Sequence, residues 1–246
     1  MKVAPCSYKA AKYAVEHWHY SQSLPVPPRT MFGVWEHGKF IGTVIFSRGA
    51  SPELGRQYGL KQVEVCELTR VALNDHDAPV TQIVAAAIRA LREHSPGLRL
   101  IVSFADPHYG HHGGIYQAGN WFYSGDTAPG TEYRDRNGKR WHSRQLSKDG
   151  MRKQFGVPRK APKVSDMTAV KTPGKHRYLM PLDRAMRRQV QSLARDYPRA
   201  AVQASTETRS SSTAEGQVRP LGTAPHSPGP DDAPHAAAAA AGDRED

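Results

Sequence analysis

Residues 103–125 read Ser-Phe-Ala-Asp-Pro-His-Tyr-Gly-His-His-Gly-Gly-Ile-Tyr-Gln-Ala-Gly-Asn-Trp-Phe-Tyr-Ser-Gly. One carboxylate (Asp106), three imidazoles (His108, His111, His112) and two phenols (Tyr109, Tyr116) stand within a few positions of one another. Imidazole is costly to bury unpaired, so core packing does not call for this density of histidine. Two chemistries suit the set. Asp106 can accept a proton from a nucleophile as it attacks. Alternatively, Asp106, His108 and one of His111 or His112 make a two-His, one-carboxylate face of the non-haem iron type. The roles compete, because a metal-bound carboxylate is less available as a base. A second small cluster, His19-Tyr20-Ser21, supplies another proton acceptor or a distant metal ligand.

These residues need elements to position them. The apolar run Leu98–Phe104, bounded by Pro96-Gly97 and Asp106-Pro107, predicts a buried strand opening into the histidine loop. Ser7 caps a helix running to about Trp18, so His19 and Tyr20 sit where that helix gives out. Met31–Glu36 and Phe40–Ser47 form a hairpin around His37-Gly38-Lys39, and Gln62–Leu73 reads as a longer strand. Val80–His94 is an amphipathic helix with Ile83, Ala87, Ile88 and Leu91 on one face. Strand, helix and strand in succession imply that the strands before and after this helix are parallel neighbours. Ile115–Ala118 predicts one or two helical turns and Trp121–Tyr123 a strand. Thr131–Arg136 and Lys139–Leu146 flank the hairpin signal Asn137-Gly138. Ser147–Phe155 reads as a short helix, 157–176 as a basic linker, Arg177–Leu182 as a last strand and Arg184–Tyr197 as a basic amphipathic helix. The fold class is therefore α+β, with a mixed central sheet flanked by helices. A catalytic domain covers 1–183, a basic helix 184–199, and a low-complexity tail 200–246 is too poor in apolar surface to order itself.

Charge is unevenly spread. Residues 151–199 carry 13 Lys and Arg against 3 Asp and Glu, whereas 1–150 carry 18 against 13 and 200–246 carry 3 against 7. So concentrated a basic segment points to a polyanion, nucleic acid first, with Lys153, Lys160, Lys163, Lys171 and Lys175 as candidate phosphate contacts. The two cysteines, Cys6 and Cys66, exclude a disulfide framework and fit a reducing cytosol, with Cys66 packed in a strand. No apolar stretch approaches the ~20 residues that cross a bilayer, and no signal-peptide core is present, so a soluble cytoplasmic protein is expected.

His19-Tyr20-Ser21, Leu68-Thr69-Arg70-Val71 and the run Phe104–Trp121 resemble the Mom family of phage DNA-modification proteins, over roughly 7–183. The resemblance implies a GNAT-type acyltransferase fold acting in the host cytoplasm. It also implies an enzyme that places a carbamoylmethyl (acetamido) group on the exocyclic amine of adenine in DNA, shielding it from host restriction. It carries His19, Tyr20, Arg70, Asp106 and Tyr116 as the residues that matter, with Arg70 and Val71 on the cofactor side. Acetyl-CoA or another small-carbon donor is implied, and iron is linked to the family. The substrate is then double-stranded DNA with the adenine flipped out, because the amine lies partly in the pairing edge. Tyr109, Tyr116 and Trp121 offer faces to stack on it, although Trp121 reads first as a core aromatic. In GNAT enzymes the pyrophosphate of CoA meets a Gly-rich turn at a helix N-terminus. The corresponding turn here, Asn74–Pro79, has no glycine and two acidic residues. Two other functions are compatible with the sequence: an acyl-CoA-dependent N-acetyltransferase acting on a small amine or protein, and a non-catalytic DNA-binding accessory protein.

Overall fold

The structure, a computed structural model, describes residues 1–199 apart from Val26, Pro28, Ala50, His142 and Phe155. The tail at 200–246, expected to be disordered, lies outside the described residues. A seven-stranded mixed sheet carries the fold. Its strands are β1 (Lys2–Pro5), β2 (Arg29–Glu36), β3 (Lys39–Ser47), β4 (Val65–Leu73), β5 (Leu100–Ala105), β6 (Phe122–Asp126) and β12 (His176–Pro181), in the order β1-β2-β3-β4-β5-β12-β6. The last strand thus inserts between β5 and β6, antiparallel to both. Among the described strands of this sheet, β4 and β5 alone pair in parallel, as the strand-helix-strand succession requires. This is a mixed α/β layout, with one central mixed sheet flanked by helices.

Helices cover both faces. In α1 (Tyr8–Trp18) the Ser7 hydroxyl accepts from the Ala10 N–H, and Ala11, Ala14 and Val15 bury one stripe against Ile45 and Ala72. On the opposite face α2 (Val80–His94) buries Ile83, Val84, Ala87 and Leu91 among Phe32, Val34, Phe46 and Leu68. α4 (Arg184–Gln191) is shorter than the Arg184–Tyr197 helix expected. Its Met186 and Val190 are buried against Leu100, Val102 and Leu179, so this basic helix shares the core of the sheet. Trp121 is also core, 1% exposed and tilted against Tyr116 at 5.1 Å, which rules it out as a face for stacking on DNA.

Between β6 and β12 the chain departs most from expectation. A three-stranded sheet forms from β7 (Gly130–Arg134), β8 (Arg140–Trp141) and β11 (Thr168–Thr172), in the order β11-β7-β8. The Asn137-Gly138 hairpin joins β7 to β8, though β8 stops at Trp141 and a 3-10 turn follows at Ser143–Gln145. The helix expected over Ser147–Phe155 is instead strand β9 (Met151–Gln154), paired with β10 (Val157–Lys160). Residues 157–176 are therefore no linker, since they contain β10 and β11. At the start of the expected Gln62–Leu73 strand, Gln62–Glu64 is a 3-10 turn. Among the described residues no helix is long and apolar enough to cross a membrane.

Candidate active site

The sheet opens where β4 and β5 part. Their parallel pairing lasts only from Val65↔Leu100 to Glu67↔Val102. One step later β4 bulges against β3: Phe46 pairs with Leu68 and Ile45 with Arg70, leaving Thr69 extra. Ladder acceptors at such a break need new donors. The Thr69 hydroxyl donates to Ile45 O at 3.0 Å, and the Ser103 hydroxyl donates to Leu68 O at 2.8 Å. The Ser103 proton is thereby committed, so the Tyr116 hydroxyl, 2.7 Å away, is the donor in the Ser103–Tyr116 bond. Ser103 is the polar residue inside the buried β5 run, and its isolation there was the one available signal for this role.

A cleft of about 890 Å³ fills the gap. Its walls are the end of α1 (Trp18, His19, Tyr20), β4 (Glu67 to Val71), the end of β5 (Phe104 to Asp106) and the loop Gly110–Gly113 leading into α3 (Gly114–Ala118) with Tyr116. Lys175 and Thr127 close one side. His19, Tyr20, Arg70, Val71, Asp106, His111, His112 and Tyr116, singled out from sequence, therefore meet in one place. His108 and Tyr109 fall outside the lining. So do Lys153, Lys160, Lys163 and Lys171, leaving Lys175 as the one proposed phosphate contact that reaches the cleft.

Each cleft side chain has a defined state. Asp106 is 7% exposed; one oxygen accepts from the His108 N–H at 3.1 Å and the other pairs with the Lys175 ammonium at 2.9 Å. Lys175 itself is held by Thr127, whose hydroxyl accepts the Lys175 N–H and whose N–H donates to Lys175 O. His19 Nδ1 accepts from the Ser21 N–H at 3.1 Å, so the neutral ring carries its proton on Nε2. Burial, and then the nearby Arg70, His111 and Arg140, depress His19 to about 3. It is a neutral hydrogen-bond donor near neutral pH, which corrects its reading as a second base. Burial pushes the Tyr116 phenol up to about 12, so it also keeps its proton. Arg70 donates to Ser23 O and Thr69 O, locking the His19–Ser23 turn onto β4. Gly113 starts α3 at φ +85°, and a Cβ there would sit 2.3 Å from the Tyr178 ring, whose hydroxyl donates to His112 O at 2.6 Å.

The rim is aromatic and cationic. Tyr20, 49% exposed, stacks on His19 at 4.5 Å and lies 5.0 Å from His111 and 5.4 Å from Tyr109. Arg140 of β8 donates to Tyr20 O at 2.9 Å and covers the Tyr109 ring at 4.7 Å. The Tyr109 hydroxyl donates to Glu132 of β7. Tyr109 is thus packed into the rim rather than free to stack on a base. Arg140 carried no sequence signal beyond its charge.

The implied cofactors meet this geometry differently. Among the described residues no three His, Cys, Asp or Glu side chains converge as metal ligands. Asp106 is engaged by Lys175 and the His108 N–H, so the predicted set of Asp106, His108 and His111 or His112 does not fit an iron ion. At the Asn74–Pro79 turn, the Asp77 and Ala78 N–H groups donate to the Glu36 carboxylate at 2.8 and 3.0 Å. Those bonds hold Glu36 below the usual carboxylate range although it is buried. An internal anion occupies these donors, so they do not fit a pyrophosphate.

The model of the Mom protein family matches residues 1–199. The chain belongs to the Mom family. A similar solved structure is a GNAT family acetyltransferase from Elizabethkingia anophelis with acetyl-CoA bound. It is 10% identical, covers 74% of this chain and 97% of its own, and has a TM-score of 0.36. No functionally curated protein matches the chain.

Proposed function

We propose that this Mom-family chain is a DNA adenine-modifying transferase that places a carbamoylmethyl group on the exocyclic amine and so shields phage DNA from restriction. The observation that carries this reading is the convergence of Asp106, Lys175, His19 and Tyr116 on one cleft at the parting of β4 and β5. An exocyclic amine is a weak nucleophile because its lone pair is delocalised into the ring, and it needs a positioned acceptor as the new bond forms. Asp106 is that acceptor, its carboxylate held in place by the Lys175 ammonium at 2.9 Å. The amine nitrogen bonds to the methylene carbon of the donor, the leaving group departs with the bonding electrons, and the amine proton passes to Asp106. His19 Nε2–H is the proton-bearing group that orients the base or the donor carbonyl, while the Tyr116 phenol, its proton given to Ser103, forms part of the cleft wall. The target adenine is extruded from the duplex, and half-exposed Tyr20 is the surface it meets on entry.

Acetyl-CoA has no leaving group on its methyl carbon and no amide nitrogen, so it suits N-acetylation of an amine instead; the donor for this step is a small-carbon compound with a leaving group on the methylene beside its carboxamide. Because Glu36 occupies the Asp77 and Ala78 N–H groups, any anionic part of it is met by Arg70 and Lys175 instead. Plasmid recovered from cells expressing the chain should resist endonucleases whose sites contain adenine. Cleavage as complete as that of plasmid from cells without it would overturn the reading.

A further inference from the structure

We propose that the 135–139 turn of the β7–β8 hairpin, with Arg140 at its foot, is the phosphate-binding edge that holds a DNA strand at the mouth of the cleft; this rests on the DNA reading above. The hairpin closes with Arg134 opposite Arg140, so the turn starts one residue beyond the guanidinium that meets the cleft rim. Arg136, Asn137, Gly138 and Lys139 are all exposed, and nothing lies within 4 Å of where a Cβ on Gly138 would stand, so the turn projects into open space. Asp135 makes it rigid. Its backbone O accepts the Gly138 N–H at 2.9 Å, and its N–H donates to Lys139 O at 3.0 Å. One oxygen of its side chain accepts the Asn137 and Lys139 N–H groups at 2.9 and 3.0 Å.

Charge decides what this turn faces. Both carboxylates of the hairpin are already satisfied. Glu132 accepts from Arg134 Nε–H at 2.8 Å and from the Tyr109 hydroxyl, and the second oxygen of Asp135 accepts from Trp141 Nε1–H at 3.0 Å. Arg136, Lys139 and Arg140 form no ion pair among the described residues. Lys139 lies over the Trp141 ring at 4.6 Å and Arg140 over the Tyr109 ring at 4.7 Å, contacts that hold the side chains without cancelling their charge. One of the five N–H groups of Arg140 donates to Tyr20 O, which leaves part of the guanidinium fork for a phosphate.

Position ties the turn to the chemistry. The bond from Arg140 to Tyr20 O, 2.9 Å long, joins the hairpin to the half-exposed aromatic that an extruded adenine meets on entry. A strand held by Arg136, Lys139 and Arg140 therefore has its neighbouring nucleotide beside Tyr20. Another polypeptide fits this edge poorly. β8 is the outer strand of the small sheet but only two residues long, too short to template an added strand.

The test uses the full chain and end-labelled duplexes in which 2-aminopurine, dim when stacked and bright when extruded, replaces each adenine in turn. Binding is read by fluorescence anisotropy over roughly 50 to 200 mM salt, where phosphate contacts register. The variant is Arg136→Gln, Lys139→Gln and Arg140→Gln together. The expected fall in the slope of log affinity against log salt is about 2 to 3, near 0.9 for each lost phosphate contact. At matched occupancy the brightening seen with the wild type should be lost as well. The charge-preserving pair Arg136→Lys and Arg140→Lys should keep the slope, separating charge from folding. An unchanged slope overturns the proposal, as does a reduced slope with undiminished brightening, or binding confined to anionic lipid vesicles. If no position brightens with the wild type while the variant loses slope, the extrusion reading fails and the phosphate-binding edge stands.

Discussion

Replacing Asp106 by Asn separates chemistry from structure more cleanly than any other change in the cleft. Asn keeps the shape and the oxygen that accepts the His108 N–H, and removes only the charge that faces Lys175. Lys175 is half exposed, so the lost ion pair costs about 0.2–1 kcal/mol in solvent-screened surroundings. For a domain of this size that lowers Tm by roughly 1–4 °C. Loss of a general base, by contrast, slows a reaction roughly 100- to 10,000-fold. The variant should therefore melt close to the wild type and bind duplex equally, while modified nucleoside in DNA from expressing cells falls below detection. Undiminished modification would remove Asp106 from the chemistry. A large drop in Tm would instead make it a structural anchor.

Three further outcomes follow from the same geometry. His19 stays neutral in the fold down to about 3 but takes up a proton near 6.5 when unfolded, so the unfolded chain binds more protons between these values. Stability should fall as pH drops through that window, and His19→Gln should flatten the fall in Tm; parallel pH profiles would contradict this. Tyr116→Phe removes a buried hydroxyl bond to Ser103 and should cost about 0.5–1.5 kcal/mol in urea unfolding, with loss of the phenol that titrates near 12. An unchanged unfolding midpoint would place that hydroxyl elsewhere. Gly113→Ala puts a methyl into the Tyr178 ring at a left-handed φ and should destabilise by about 1–3 kcal/mol, again by urea. A neutral result would mean the loop is not pinned there.

Local signals carried much of this fold. The α2 bounds, the Ser7 cap, the β2–β3 hairpin and the parallel β4–β5 pair all follow from caps, turn residues and periodicity acting over short stretches. The β9–β10 ribbon did not, because a strand with no buried face has no alternation to read, and its Lys and Pro content looked like a linker. Long-range contacts were equally invisible. Nothing near Glu36 announces that its carboxylate meets the Asp77 and Ala78 N–H groups, and Lys175 read as a phosphate contact until the fold set it against Asp106. Of the titratable side chains in the dense histidine loop, Asp106, His111, His112 and Tyr116 reach the cleft. The 3-10 turn at Pro107–Tyr109 accompanies the exclusion of His108 and Tyr109 from the lining.

The most direct measurement of the central claim is nucleoside mass spectrometry of duplex DNA from cells expressing the full chain. The expected result is a deoxyadenosine heavier by one carbamoylmethyl group in place of a hydrogen, absent when Asp106→Asn is expressed instead. Deoxyadenosine of ordinary mass alone, in DNA from cells containing folded protein, would contradict it.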